Sequence, residues 1–333
     1  MDKALKFIRK NKAFTFAAVL VLLITGVAVC APLLATHDPY EAVLADAIQA
    51  PSAQHWFGTD GMGRDLYSRV LYGARTSLLS ALALVAIITV FGTTLGIVAG
   101  YFGGIVDAVV MRLADMMISF PGMVLAIAVA GILGANMTNA IIAISLVTWP
   151  KYARLSRSLV LKIRNRDYVA AARVTGSKTP YILLKYMLPN ALPTILITAA
   201  TDIGSMMLEI AALSFLGFGA QSPTAEWGLM LNEGRAYMVA APWLMLFPGC
   251  AIFITVVAFN LLGDSLRDVL DPRSDSAVSR KSRKSKKSKK RNGTKEARKH
   301  EEDKRGGSAR RRDAGRVPGV AFGSLRRGWQ QLG

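Results

Sequence analysis

TSLLSALALVAIITVFGTTLGIVAGYFGGIV, residues 76–106, runs for 31 positions without an Asp, Glu, Lys or Arg. A bilayer core about 30 Å thick needs about 20 apolar residues of helix, so this stretch reads as a membrane span and not as a core helix of a soluble domain. Three more charge-free stretches, 13–37, 116–150 and 236–263, repeat the pattern, and 190–218 is interrupted only by Asp202 and Glu209. The 116–150 stretch is long enough for most of two helices. It turns polar at Gly131, Gly134, Asn136 and Asn139, where a break is expected. The expected fold is therefore an all-α polytopic membrane protein with six helices, at about 14–36, 76–101, 107–133, 138–160, 190–217 and 242–263. Gly92, Gly96 and Gly100 recur every fourth residue and predict a face where another helix approaches closely. Pro121 falls within the third span and is expected to kink it.

Composition fits this reading. Hydrophobic residues make up 52% of the chain, yet the formal net charge is +19. The two are segregated, because residues 264–333 hold 22 Lys/Arg against 9 Asp/Glu. The chain divides into a basic N-terminus (1–12), a six-helix domain (13–273) and a basic tail (274–333). The run RKSRKSKKSKKR at 280–291 buries no apolar surface and is expected to be disordered. With the tail tethered at the membrane, anionic lipid is the expected partner, or none, ahead of nucleic acid. MDKALKFIRKNK is followed by an apolar run too long for a typical signal-peptide core, and the first helix is read as retained. With the N-terminus in the cytoplasm, the inner side receives five Lys/Arg from 1–12 and nine from 151–190, while the outer side receives only Arg64, Arg69, Arg75 and Arg235. The positive-inside rule then places both termini in the cytoplasm. Cys30 and Cys250 each sit in an apolar run and read as small buried residues. His37, His55 and His300 are scattered, and no metal site is predicted from spacing.

The segment RNRDYVAAARVTGSKTPYILLKYMLPNALP, residues 164–193, is too regular to be a plain connector. Ala170, Ala171 and Ala172 favour a short helix over 167–175 and leave it a smooth face. Gly176 ends that helix in the left-handed conformation. Thr179 caps a second helix with Pro180 as its first residue. Pro189 closes it, pushing Leu188 out of the helical region.

This segment resembles the cytoplasmic E-A-A-x-x-x-G loop of ABC importer permeases, with Ala171, Ala172, Gly176, Leu188 and Pro189 matching. Ala170 stands where that motif has Glu, and Tyr186 where Ile is usual. HWFGTDGMGRDLYSRVLYGARTSL (55–78), GYFGGIVDAVVMRLADMMISFPG (100–122), LSFLGFGAQSPTAEWGLML (213–231) and FNLLGDSLRDVLDPR (259–273) are similar to the dipeptide, oligopeptide and nickel permeases, C-type subunits above all. The resemblance implies the type I ABC importer permease fold in the bacterial cell membrane. It also implies a coupling loop over 161–189, with Asp167, Ala170, Ala171, Ala172, Gly176, Leu188 and Pro189 facing an ATPase. The implied partners are a homologous permease, two ATPase subunits using ATP and Mg, and an extracytoplasmic binding protein. No catalytic residue and no cofactor are then expected on this chain. SPTAEWGLML and TDIGSMMLEIAALSFLGFG are nearer the nickel permeases, so nickel or a small nickel chelate is the expected cargo, with di- or oligopeptides as the alternative.

Other classes fit less well. TGSKT at 175–179 lacks the glycine spacing and the preceding strand of a phosphate-binding loop. No H-E-x-x-H or G-x-S-x-G occurs, and Asp115, Asp202 and Glu209 form no recognised dyad. A secondary transporter predicts internal repeats with broken helices and leaves the 164–193 segment unexplained. Asp202 and Glu209 are two helical turns apart and share a face. An intramembrane carboxylate is a functional candidate by default: the pair either lines the pathway or is tied up by Arg112 or a neighbouring helix. Met206 lies between them and reads as a packing residue or a soft ligand.

Overall fold

The structure, a computed structural model, describes residues 12–270. The expectations for the basic N-terminus (1–12), apart from Lys12, and for the tail (274–333) lie outside the described residues. The first helix, α1 (Lys12–Val29), leads through the short α2 (Ala31–Leu34) into an irregular segment reaching residue 65. There the Asp65 carboxylate accepts from the Ser68 N–H at 2.8 Å and caps α3 (Leu66–Phe102). Gly103, at φ 68°, ends α3, and α4 (Gly104–Ile118) and α5 (Gly122–Leu133) follow. Asn139 donates to the carbonyls of Leu133 and Gly134, which α5 leaves unpaired at its end, while Asn136 caps α6 (Met137–Ile163). The polar break read at 131–139 is thus a helix stop and a helix start side by side.

Membrane helices lack a strong hydrophobic drive to associate and depend on close packing. The glycine face supplies it. A Cβ on Gly92 would lie 2.6 Å from the Trp149 carbonyl oxygen, one on Gly96 would overlap the Ala153 carbonyl, and one on Gly100 would crowd Val160 at 3.0 Å. The helix approached is α6. After the loop helices α7 (Asp167–Val174) and α8 (Thr179–Ile182), the chain enters α9 (Leu188–Phe215), covers the opposite end of the bundle with α10 (Trp227–Gly234), and passes into α11 (Trp243–Leu270), the last described helix. A second close crossing joins α9 to α11, where Gly204 faces Asn260 and Gly263 faces Thr201.

Several expectations are corrected. Among the described residues, four stretches are long and apolar enough to cross a membrane by length and composition: α1, α3, the continuous run 179–215 and most of α11. A fifth is reached only if α4 and α5 count as one span bent by 93°. Pro121 therefore breaks the third expected span and does not merely kink it; it sits at the N-cap of α5, where its missing N–H costs nothing. The fourth expected span is α6, which has the length, but Lys151, Arg154, Arg157 and Lys162 make its second half too polar to count. Pro189 does not close a helix either. Leu188 is helical at φ −57° and ψ −51°, and a π-helical turn, Leu183–Met187, carries α8 into α9. The wider turn takes up the proline in the first turn of α9 without a break. Cys30 and Cys250 are exposed: in a membrane bundle, an apolar run faces lipid as readily as core.

Replacing Gly96 by Leu forces α3 off α6. The expected cost is about 1–3 kcal/mol from overpacking, read as a lowered unfolding midpoint of the purified protein. Gly26→Leu, with nothing within 4 Å of the added Cβ, should leave the midpoint unchanged, and equal midpoints for the two variants would count against the seam.

Candidate functional site: a loop at one end and a carboxylate pair in the bundle

The loop helix α7 ends as its residues dictate. Gly176 adopts φ 79°, its N–H bonds the Arg173 carbonyl at 3.0 Å, and the Ser177 N–H bonds the Ala172 carbonyl at 3.0 Å. This pair of bonds is a Schellman motif, which needs a residue able to sit at positive φ. Val169 and Ala172 turn inward, and Val169 packs with Ile97, Val160, Ile182 and Met187. Ala170, Ala171 and Asp167 face outward, as do Tyr168, Val174, Tyr181 and Leu184. The alanine run is therefore divided, with one alanine anchoring the loop and two presenting it. Leu188 is half-buried and Pro189 exposed. Arg164 donates to the Gly100 carbonyl at 2.9 Å and Arg173 lies over the Tyr101 ring, tying the loop to the end of α3.

Inside the bundle, Asp202 is buried and paired. The Lys151 ammonium donates to both of its carboxylate oxygens at 2.7 Å, and the Tyr152 hydroxyl donates at 2.9 Å. The partner is Lys151 and not the anticipated Arg112, because α6 and not α4 packs beside α9 at this height. Glu209 is half-buried and lines a cavity of about 220 Å³ together with Lys151, Met123, Ala126, Val147 and Thr148. Met206 is buried at 3% exposure, so it packs and does not face the cavity. The structure thus pairs Lys151 with Asp202, places it on the same cavity as Glu209, and leaves the methionine out.

The end of the bundle away from the loop carries three arrangements that sequence reading did not find. Arg64 and Arg69, both buried, share the Asp60 and Glu233 carboxylates (Arg64–Asp60 2.6 Å, Arg69–Asp60 3.3 Å, Arg64–Glu233 2.9 Å) around a cavity of about 410 Å³. Glu226, fully buried, caps α10 by accepting from the Gly228 and Leu229 N–H groups and from the Ser77 hydroxyl. Burial pushes its carboxyl above the ordinary value, and these hydrogen bonds pull it part of the way back. His37, His55 and Asp65 also converge, although the sequence separates them by 18 and 10 positions. The strings HWFGTDGMGRD and SPTAEWG contain most of these residues, but their meeting is a matter of tertiary packing.

A helical bundle with glycine-mediated crossings, a structured loop at one end and paired charges within defines a polytopic transport protein. The chain belongs to the family described as binding-protein-dependent transport system inner membrane components, whose model matches residues 92–276, and residues 1–51 match the N-terminal transmembrane domain of oligopeptide transport permease C. It is 43% identical over 274 residues to a dipeptide transport system permease of Alkalihalophilus pseudofirmus, covering 82% of this chain and 90% of that one. It is 41% identical over 266 residues to the nickel transport system permease of Escherichia coli K12 (80% and 96%). A glutathione transport system permease of Escherichia coli O6:K15:H31 is 45% identical over 269 residues (80% and 88%). The chain is thus an ABC importer permease subunit of the inner membrane.

Lys151→Met leaves the buried Asp202 carboxylate with only the Tyr152 hydroxyl. It should destabilise the protein by about 1–3 kcal/mol, the usual cost of an unsatisfied buried group. The double variant Lys151→Met/Asp202→Asn should recover much of that loss. Measured midpoints that simply add across the pair would show that the two do not interact.

Proposed function

We propose that this subunit forms half of a translocation pathway for di- or oligopeptides, and that ATPase subunits drive it through the exposed face of residues 167–184. The observation that carries the cargo reading is the cavity beside α6 and α9. There Glu209 lines a 220 Å³ space beside Lys151, whose ammonium is already held by Asp202, so the carboxylate is the charge that remains to answer the amino group of a peptide. Identity to permeases for dipeptides and glutathione supports the same class. Nickel, as a small chelate, is the second reading, favoured by the 41% identity to a nickel permease. The buried Met206 and the lack of His or Cys among the cavity's lining residues weigh against a metal held there. Uptake by cells expressing the full transporter discriminates: competition of labelled dipeptide by unlabelled dipeptide, with no effect on nickel uptake, supports peptides, and the reverse result supports nickel.

The partners follow from the family: a homologous permease completing the pathway, two ATPase subunits that bind ATP and Mg, and a binding protein outside. This chain contributes no catalytic group. Tyr168, Ala171, Val174, Tyr181 and Leu184 are apolar yet exposed beside the Schellman turn, the kind of surface that a partner's groove covers. With this loop in the cytoplasm, closure of the ATPases on ATP pushes it and moves the helices as rigid bodies between inward- and outward-open states.

Gly176 gives the sharpest test. Its added Cβ would meet nothing within 4 Å, but its φ of 79° disfavours any β-branched residue. Gly176→Val should leave the complex assembled while ATP hydrolysis no longer responds to the loaded binding protein. Gly176→Asn, which tolerates this conformation, should retain most coupling. Full uptake by the Val variant would refute the assignment, as would labelling of a cysteine at position 170 by a membrane-impermeant maleimide in intact cells.

A further inference from the structure

His37, His55 and Asp65 lie at one end of the bundle, in the segment between α1 and α3 and at the head of α3. The His55 Nδ1 is 2.9 Å from the Asp65 Oδ1, the His37 Nδ1 is 3.8 Å from the same oxygen, and the two imidazole rings stand 4.8 Å apart and tilted by 34°. All three ligand atoms fall within 4.8 Å of one another. The burial is graded: the Asp65 side chain is 1% exposed, His55 7% and His37 36%. Each member is held from behind. The second Asp65 oxygen accepts from the Ser68 N–H, the His37 N–H donates to the Ser68 hydroxyl at 3.1 Å, and the His55 N–H donates to the Ser52 hydroxyl at 3.1 Å. The His37 Nδ1 itself has only the Thr36 hydroxyl, at 3.0 Å.

We propose that these three side chains bind a divalent first-row transition metal ion. Two imidazoles and one carboxylate are a donor set suited to zinc or nickel. In a tetrahedral site with metal–ligand bonds of about 2.0–2.2 Å, neighbouring ligand atoms stand about 3.3 Å apart. The separations from the Asp65 oxygen, 2.9 and 3.8 Å, lie on either side of that value, and the two imidazole ligand atoms, within 4.8 Å of each other, close on the ion by rotation of the more exposed His37 side chain. The three ligands occupy one side of the ion and leave positions open toward the exposed His37, by which the ion enters. Two groups are fixed by the body of the fold and the third sits on the segment just after α1. Bound metal therefore ties that segment to the head of α3. This is independent of the cargo, since a peptide carrier and a nickel carrier can both hold such a tie. The residues also lie apart from Lys151 and Glu209, so the ion is no part of that cavity.

The test uses the full transporter, purified in nanodiscs without a polyhistidine tag, titrated calorimetrically with Zn²⁺ and with Ni²⁺. The wild type should bind one ion more per copy of this chain than the His37→Ala variant, or bind it at least about tenfold more tightly, since the loss of even a residue supporting a metal ligand costs that much. His37→Cys, which restores a ligand atom, should recover binding. His300→Ala, outside the cluster, should match the wild type, which separates this site from the only other histidine of the chain. Metal should also raise the unfolding midpoint of the wild type and not of His37→Ala, whose metal-free midpoint reports whether that variant is folded. Identical isotherms for wild type and His37→Ala would overturn the proposal, as would a wild type that binds neither ion.

Discussion

The backbone-to-backbone contact between α3 and α6 is the constraint on which the rest of the molecule depends. Gly92, Gly96 and Gly100 have no side chains to hold the helices apart, and Trp149, Ala153 and Val160 occupy the space so freed. Ala81, Leu84 and Ile88 continue the buried face of α3 toward its outer end. Because α6 is fixed this closely, its Lys151 and Tyr152 arrive at the height of Asp202 on α9. Arg157, one turn further, reaches the Asp107 carboxylate and secures α4. The end of the same seam, at Gly100, accepts the Arg164 hydrogen bond that begins the loop. The charged pair, the bent α4–α5 unit and the loop all take their position from one row of glycines.

The continuity of residues 179–215 bears on how a push on the loop reaches the bundle. A break at Pro189 would have decoupled the loop from α9. The π turn instead joins them into a run of 37 residues, about 55 Å long if helical throughout. Its inner end is packed through Ile182 and Met187 onto Ile97 and Val160, and its middle carries Asp202 and Glu209. The helix that begins at Thr179, after the Gly176 turn, is therefore continuous with the stretch that carries the two carboxylates.

What was legible in the sequence was whatever a local rule decides. The glycine spacing predicted a close helix contact, Gly176 predicted a left-handed stop, and Asn136 and Asn139 marked a break, because each depends on the backbone within a few residues. Charge-free length alone did not reveal how each apolar stretch is bent or packed. Residues 107–133 are apolar enough for one span, yet Pro121 turns them through nearly a right angle, and α6 is long enough but carries four cations. The identity of the helix meeting Gly96, the Lys151 partner of Asp202 and the convergence of His37 with His55 are tertiary facts, set by which helices pack side by side. Cys30 and Cys250 show the same limit in reverse, since apolar neighbours in sequence do not decide between core and lipid.

Burial divides the cations on which the expected orientation rests. Of the four cations counted on the outer side, Arg64 and Arg69 are almost wholly buried and neutralised by Asp60 and Glu233. On the opposite side, Lys162, Arg166, Arg173 and Lys178 are exposed. A bilayer responds to charge that faces solvent and headgroups, so the effective difference between the two ends exceeds the tally of residues. The two buried arginines do a different job. Deep charges persist when each is paired and hydrogen-bonded, and this pair binds the segment ahead of α3 to the segment around α10. Parts of the chain some 160 residues apart thereby form a single cap over one end of the bundle.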